Sequence, residues 1–220
     1  MNSAISLDGK ICTRTGESDI SSDLDLKRVH KLRSVVDGIL VGISTVLEDD
    51  PLLSIRFIKC SKTKKNPARV IIDSNARIPL DSKIVTTAKD IDTIIVVTKG
   101  APKNKLELLR ANNLNIIVSG ERGKKVNLKK AFEQLEAKFG IKRILVEGGG
   151  EINWSIIQSN LFDELIVTIS PLIVGGRDAI TLVEGKGFDT IKKCFRLDLS
   201  KIHKRSNGEI VAHYNNVKNK

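Results

Sequence analysis

The sequence predicts an α/β fold: a mixed, mostly parallel central sheet flanked by helices, with a β-rich C-terminal part. Three observations predict it. β-branched runs of strand length alternate with stretches of helical periodicity from Gly38 to Ser159, the pattern of parallel strands joined by helical crossovers. Beyond Ser159 the runs are mainly strands, so antiparallel pairing is expected at that end. No Pro/Gly/Ser-rich linker divides the 220 residues, and 1–220 reads as a single domain.

The elements follow in order. Ala4 to Leu7 ends a strand that runs into an Asp8-Gly9 turn. Ser22 or Asp23 caps a helix reaching about Val35, with Leu24, Arg28, Lys31 and Val35 at helical spacing. Gly38–Val41 is a short buried strand, and Thr45–Glu48 a helical turn stopped before Pro51. Arg69–Ile72 is a strand that ends in the polar stretch Asp73-Ser74-Asn75-Ala76-Arg77. The run Thr93–Val97 is too short for a helix. Asn104–Asn112 and Asn127–Phe139 are periodic helices, each followed by a strand, Asn115–Val118 and Arg143–Val146. A helix from Ile152 to Ser159 precedes strands at Glu164–Ile169, Ala179–Leu182, Cys194–Leu199 and Ile210–Tyr214. The lysine-rich stretch from Ile58 to Asn66 is the expected mobile loop.

Composition excludes several classes of function. Hydrophobic residues make up 40% and charged residues 29%, the balance of a soluble globular protein. Aromatics are only 4%, so the core must rest on Ile, Val and Leu. No apolar run approaches the roughly 18 residues of a membrane span, and Met1-Asn2-Ser3-Ala4 does not open a secretion signal. A cytoplasmic location is expected. Cys12, Cys60 and Cys194 lie far apart, without CxxC or Cys/His spacing, so no metal site and no disulfide framework is indicated. The formal charge of +11 is spread over separate segments with no aromatic residues interleaved. That favours a solvated surface that attracts a phosphorylated ligand over a nucleic-acid partner.

Two segments carry candidate chemistry. Ile144-Leu145-Val146-Glu147-Gly148-Gly149-Gly150-Glu151-Ile152-Asn153 runs from an apolar strand through three glycines into a helix. Such a turn lets backbone amides approach a pyrophosphate, but it is not the GxGxxG fingerprint, and a plain strand-to-helix turn stays open. Glu151 would compete with a phosphate for the same amides. The second segment, Gly38 to Pro51, ends a buried strand at Gly42 and crowds a hydroxyl and two acids into the next turn. Ligands of open α/β sheets bind beyond such strand ends, while Asp49-Asp50-Pro51 also reads as simple turn chemistry. Arg33 and Arg56 flank this segment and are of a type that forks onto phosphate. There is no GxSxG elbow, and His30, His203 and His213 stand in no recognisable catalytic context.

Taken together, Ser6-Leu7-Asp8-Gly9-Lys10, Thr15-Gly16-Glu17-Ser18, Val29-His30-Lys31-Leu32-Arg33, Asp37 to Gly42, Thr45-Val46-Leu47, Asp49 to Leu53, Arg56, Pro67 to Ser74, Leu145 to Gly150 and Pro171 to Gly176 occur in an order that resembles the reductase family of riboflavin biosynthesis. The resemblance covers nearly the whole chain. It implies a dihydrofolate-reductase-like fold, a homodimer, and NADPH as hydride donor, with NADH a second cofactor to test. The implied substrate is 2,5-diamino-6-ribosylamino-4(3H)-pyrimidinone 5′-phosphate, whose opened ribosyl imine takes hydride at C1′ to give the ribitylamino compound. In the family's pattern Ala4, Ile20, Thr45, Asp49 and Ser74 contact the cofactor, and Gly148, Gly149, Gly150, Glu151, Ile152 and Asn153 hold its pyrophosphate. Ser18, Arg33, Leu53, Arg56 and Glu147 face the substrate, with an arginine on the 5′-phosphate and Glu147 as the orienting acid. Arg77 is a further candidate for the 2′-phosphate of NADPH, against Asp73, which would repel it. Many relatives carry a fused deaminase with zinc motifs; their absence here favours the 2,5-diamino substrate over its deaminated counterpart. Alternatives are the deaminated substrate, dihydrofolate, and, from another class, a basic nucleic-acid-binding protein without reductase activity.

Overall fold

The computed structural model describes residues 1–57 and 65–217. Most of the lysine-rich stretch, with Cys60, lies outside them, as do Lys218 and Lys220. In chain order the elements are β1 (Asn2–Ile5), α1 (Asp23–Arg33), β2 (Gly38–Gly42), α2 (Ile43–Asp49), β3 (Ala68–Ile72), α3 (Lys83–Thr86), β4 (Thr93–Val97), α4 (Lys103–Ala111) and β5 (Asn115–Val118). They continue with α5 (Leu128–Phe139), β6 (Ile144–Val146), α6 (Gly150–Gln158), β7 (Glu164–Ile169), β8 (Leu197–Lys204) and β9 (Ile210–Asn216). The chain forms two compact units, one of residues 27–146 and one of residues 1–26 with 147–220. The α/β class is as expected, and the strands are shared between two sheets.

Residues 27–146 carry a five-stranded parallel sheet in the order β5-β4-β3-β2-β6. Its central strands read as unbroken apolar runs because both faces are covered. Ile39, Val41, Ile71, Ile95 and Val97 meet Ile78, Ile84 and Leu109 in one buried cluster without an aromatic side chain. Each such side chain contributes about 1.5–3 kcal/mol by leaving water. One charged group lies among them. Arg69, at the start of β3, is fully buried and donates to Thr93 Oγ1, Thr87 Oγ1 and the carbonyls of Ile84 and Ile91. Burial pushes its guanidinium down to about 10.

Residues 1–26 and 147–220 carry a four-stranded sheet in the order β1-β7-β9-β8. β1 runs parallel to β7, and β7, β9 and β8 alternate in direction. A buried polar knot ties this unit. Ser22 donates its N–H and hydroxyl to the two oxygens of Glu209 at 2.7 and 2.8 Å. Arg205 reaches Glu209 at 2.9 Å and Asp25 at 3.3 Å, and Thr168 Oγ1 donates to Asp25 at 2.8 Å. Unlike the other core, this unit gathers aromatic rings: Trp154 against Phe188, and Phe195 against Phe188 and Phe162.

Four expectations need correction. Ala179–Leu182 is not a strand; its one bridge joins Thr181 to Lys10. The Thr181 N–H goes instead to the Glu184 carboxylate at 2.6 Å, which withdraws it from any ladder. The strand expected from Cys194 begins at Leu197, because Ile191–Lys193 form a 3₁₀ turn that receives the Cys194 N–H. The helix expected from Ile152 begins at Gly150. Helix α1 ends at Arg33 and does not bury the expected stripe: Leu24 is 54% and Val35 53% exposed, while Asp25, His30 and Arg33 are buried.

Candidate active site

In the parallel sheet, β2 to β5 step one way and β6 returns to the far side of β2. The chain therefore reverses direction between β2 and β6, where open α/β sheets bind ligands beyond the carboxyl ends. Leu40 pairs with Val146 across this switch point. Gly42 closes β2, and Thr45 stands in the first turn of α2. Val146 closes β6, and Glu147 is the next residue of the chain. Ser74 follows the end of β3, where its carbonyl accepts the N–H and hydroxyl of Thr98. Asp49 ends α2 on the surface.

Arg33, Leu53 and Arg56 are brought to one short loop. Arg33 is buried and donates from Nη1 to the carbonyl of Ser54 at 2.9 Å. The Leu53 side chain belongs to the apolar core. Arg56 is exposed, with Cζ 5.7 Å from the Phe57 ring centre. Its N–H donates to His30 Nδ1 at 3.0 Å. Burial, with Arg33 and Arg56 close by, pushes the His30 imidazole down to about 4. The sequence places His30 in the stretch Val29 to Arg33 but assigns it no role at the site. Its three-residue spacing from Arg33, which puts both on one helix face, was the available signal.

Asp73 and Arg77 form a loose pair whose members differ in exposure. Asp73 is fully buried and turned into its own bend, where Oδ2 accepts the Ile78 N–H at 2.9 Å. Burial raises its pKa. Arg77 lies 3.8 Å from the other oxygen and remains 54% exposed.

In the other unit, the triglycine turn is built as a close approach. Gly148 has φ 97°, the Gly148-Gly149 peptide is cis, and Gly149 caps α6 with no side-chain hydrogen bond. A Cβ on Gly150 would meet Glu184 Cγ at 2.6 Å and the Thr181 carbonyl at 2.8 Å, so only glycine fits. Thr181 donates to Glu184 from its hydroxyl and N–H and holds that carboxyl below its ordinary range. Asn153 is buried, and its Nδ2 donates to the Leu182 carbonyl at 2.8 Å. Its Oδ1 is a buried acceptor without a partner among the described residues. A pyrophosphate offers no donor to such an atom, whereas a ribose hydroxyl or a carboxamide N–H does. Asn153 Oδ1 is thus the atom of this turn that could accept from a sugar hydroxyl or an amide of a bound group. Glu151 is exposed in the first turn of α6, and Ile152 is half-buried beside it. Ala4 pairs with Thr168 in β1. Ser18 is exposed, and its carbonyl accepts the N–H of the buried Ile20.

The profile of the family described as the RibD C-terminal domain matches residues 1–211. The chain belongs to the RibD C-terminal domain family. A RibD-family relative from Methanothermobacter thermautotrophicus, named 2,5-diamino-6-ribosylamino-4(3H)-pyrimidinone 5′-phosphate reductase, is 42% identical over 91% of this chain and 90% of its own length. A protein of the same name from Aquifex aeolicus is 39% identical over 90% of this chain and 87% of its own. Among solved structures, RibD of Acinetobacter baumannii superposes with a TM-score of 0.83 at 23% identity, over 98% of this chain and 56% of that one. That likeness concerns the fold, and this chain spans little more than half of that RibD.

Proposed function

We propose that this chain reduces the ribosylamino side chain of 2,5-diamino-6-ribosylamino-4(3H)-pyrimidinone 5′-phosphate to the ribitylamino compound, with NADPH as reductant, in the cytoplasm and as a homodimer. The observation that carries the reading is the switch point, where the family's motif positions Thr45 and Glu147 follow two paired strands. NADPH supplies a hydride when bound. The protein's part is to hold substrate and cofactor at near-attack distance, roughly 3–3.5 Å between reacting atoms. The exposed Arg56 guanidinium takes the 5′-phosphate by a forked, charge-assisted pair. Arg33 braces the loop beneath it through Ser54. Glu147 accepts hydrogen bonds from the substrate and fixes its orientation. Asn153 Oδ1 accepts from the cofactor's ribose or carboxamide, with Ala4, Ile20, Thr45, Asp49 and Ser74 contributing the remaining contacts. Ser18 and the Leu53 backbone face the substrate.

Asp73 is buried in its own turn and paired with Arg77, whose half-exposed guanidinium stays open to a 2′-phosphate, which supports NADPH over NADH. Dimerisation is supported by β8, an edge strand with Leu199 and Ile202 both exposed. The test is turnover of the purified chain with the 2,5-diamino compound, its deaminated counterpart and dihydrofolate, following NADPH absorbance. Turnover of the 2,5-diamino compound at least tenfold faster than of the others is expected. Preference for either of the others overturns the assignment.

A further inference from the structure

The loop from Pro51 to Phe57 is not a relaxed connection. Leu53 has φ 47°, and Asp50, just before the loop, has φ 39°; side chains with a Cβ rarely adopt such values. A strained backbone persists only where its surroundings over-determine it, and four side chains do so here. Arg69 Nη1 donates to Leu52 O at 3.4 Å, and Arg33 Nη1 to Ser54 O at 2.9 Å. Asn66 Oδ1 accepts the Ile55 N–H at 2.9 Å, and His30 Nδ1 accepts the Arg56 N–H at 3.0 Å. The last tie falls on the residue whose guanidinium is to meet the phosphate.

His30 is unlike an ordinary core histidine. Its side chain is 0% exposed. Because Nδ1 accepts, the ring proton sits on Nε2, and Nε2 has no partner among the described residues. The fold thus buries an N–H that no described residue answers, and presents the other nitrogen to Arg56. The same ring also packs edge-on against Phe57, at 4.8 Å between centroids and 85° between planes. Phe57 in turn lies beneath the Arg56 guanidinium, 5.7 Å from Cζ. Backbone and side chain of Arg56 are therefore both placed by one imidazole, directly at the N–H and through the phenyl ring.

We propose that His30 is a positioning residue for phosphate recognition, holding Arg56 in the geometry that receives the substrate's phosphoester. The proposal rests on the reading of Arg56 given above. A leucine preserves the bulk and removes the acceptor, whereas asparagine places Oδ1 near the position of Nδ1. H30L is expected to raise KM for the phosphorylated pyrimidine about tenfold, with kcat falling less than KM rises and KM for NADPH unmoved. KM for the dephosphorylated ribosylamino-pyrimidine should be unaffected by H30L. H30N should recover most of the affinity. On an R56M background the effect of H30L on KM should vanish, a coupling that a purely structural role does not produce. Equal losses for phosphorylated and dephosphorylated substrates, no recovery in H30N, or an undiminished effect on the R56M background would overturn the proposal. Wild-type protein that turns over no pyrimidine overturns the functional reading first, so the two failures are told apart by the unmutated chain.

Discussion

Glu147 is the first residue beyond β6, so a rigid strand aims its carboxylate. A carboxylate that orients substrate by accepting hydrogen bonds loses its charge and one of its two acceptor oxygens on amidation, while its volume is kept. E147Q is expected to lower kcat by about 10²-fold, with the thermal stabilisation by NADPH retained; steady-state rates and melting curves with cofactor check both halves. Asn153 shows how far single residues could be read. Its place in the glycine turn came from the resemblance, whereas its Oδ1, without a partner among the described residues, is an acceptor suited to a group that donates. Which amide atom is left over after folding depends on Leu182, far along the chain, and no local pattern encodes that.

At the scale of elements, strands were the easiest to read. Thr93–Val97, Asn115–Val118 and Glu164–Ile169 coincide with β4, β5 and β7, because β-branched runs between polar residues admit little else. Helix α1 resisted the same logic. It buries Asp25, His30 and Arg33 and leaves Leu24 outside, so a search for an apolar stripe finds the wrong face. An element that inverts the usual pattern is one whose buried side serves polar work. That side has a measurable consequence for pH. The His30 pKa of about 4 lies below the ordinary 6.5, so the unfolded chain takes up a proton that the native one refuses. Its contribution to stability is complete above about pH 6.5, declines as pH falls towards 4, and levels off below. The wild-type melting temperature should therefore drop across that window, with H30N, which has no group titrating there, showing a shallower decline in the same buffers.

At the scale of the whole chain, the charge of +11 is less informative than the few charges placed inside. Arg205 is 17% exposed and sits between two carboxylates that are almost wholly buried. Removing it takes one shared cation from both Asp25 and Glu209, and breaking such a group costs about 3–5 kcal/mol. R205M should lower the unfolding free energy by about that amount in urea titrations, while R77M, on a half-exposed arginine, should move it by less than about 1 kcal/mol. The expected core of Ile, Val and Leu describes the buried cluster of residues 27–146, whereas the other unit adds the packed rings of Trp154, Phe162, Phe188 and Phe195, because a composition averages over units that differ. Chain order also dictates an order of events at the ribosome. Ser22 must wait for Glu209, 187 positions later, which at roughly 5–20 residues per second is a delay of about 10–40 s. Meanwhile residues 27–146, whose β-strands pair within their own stretch, have everything they need to close. The nascent protein thus carries β1 unmatched until β7 is made and Ser22 without Glu209 for longer still, and a chaperone that shields short apolar extensions has its binding window there.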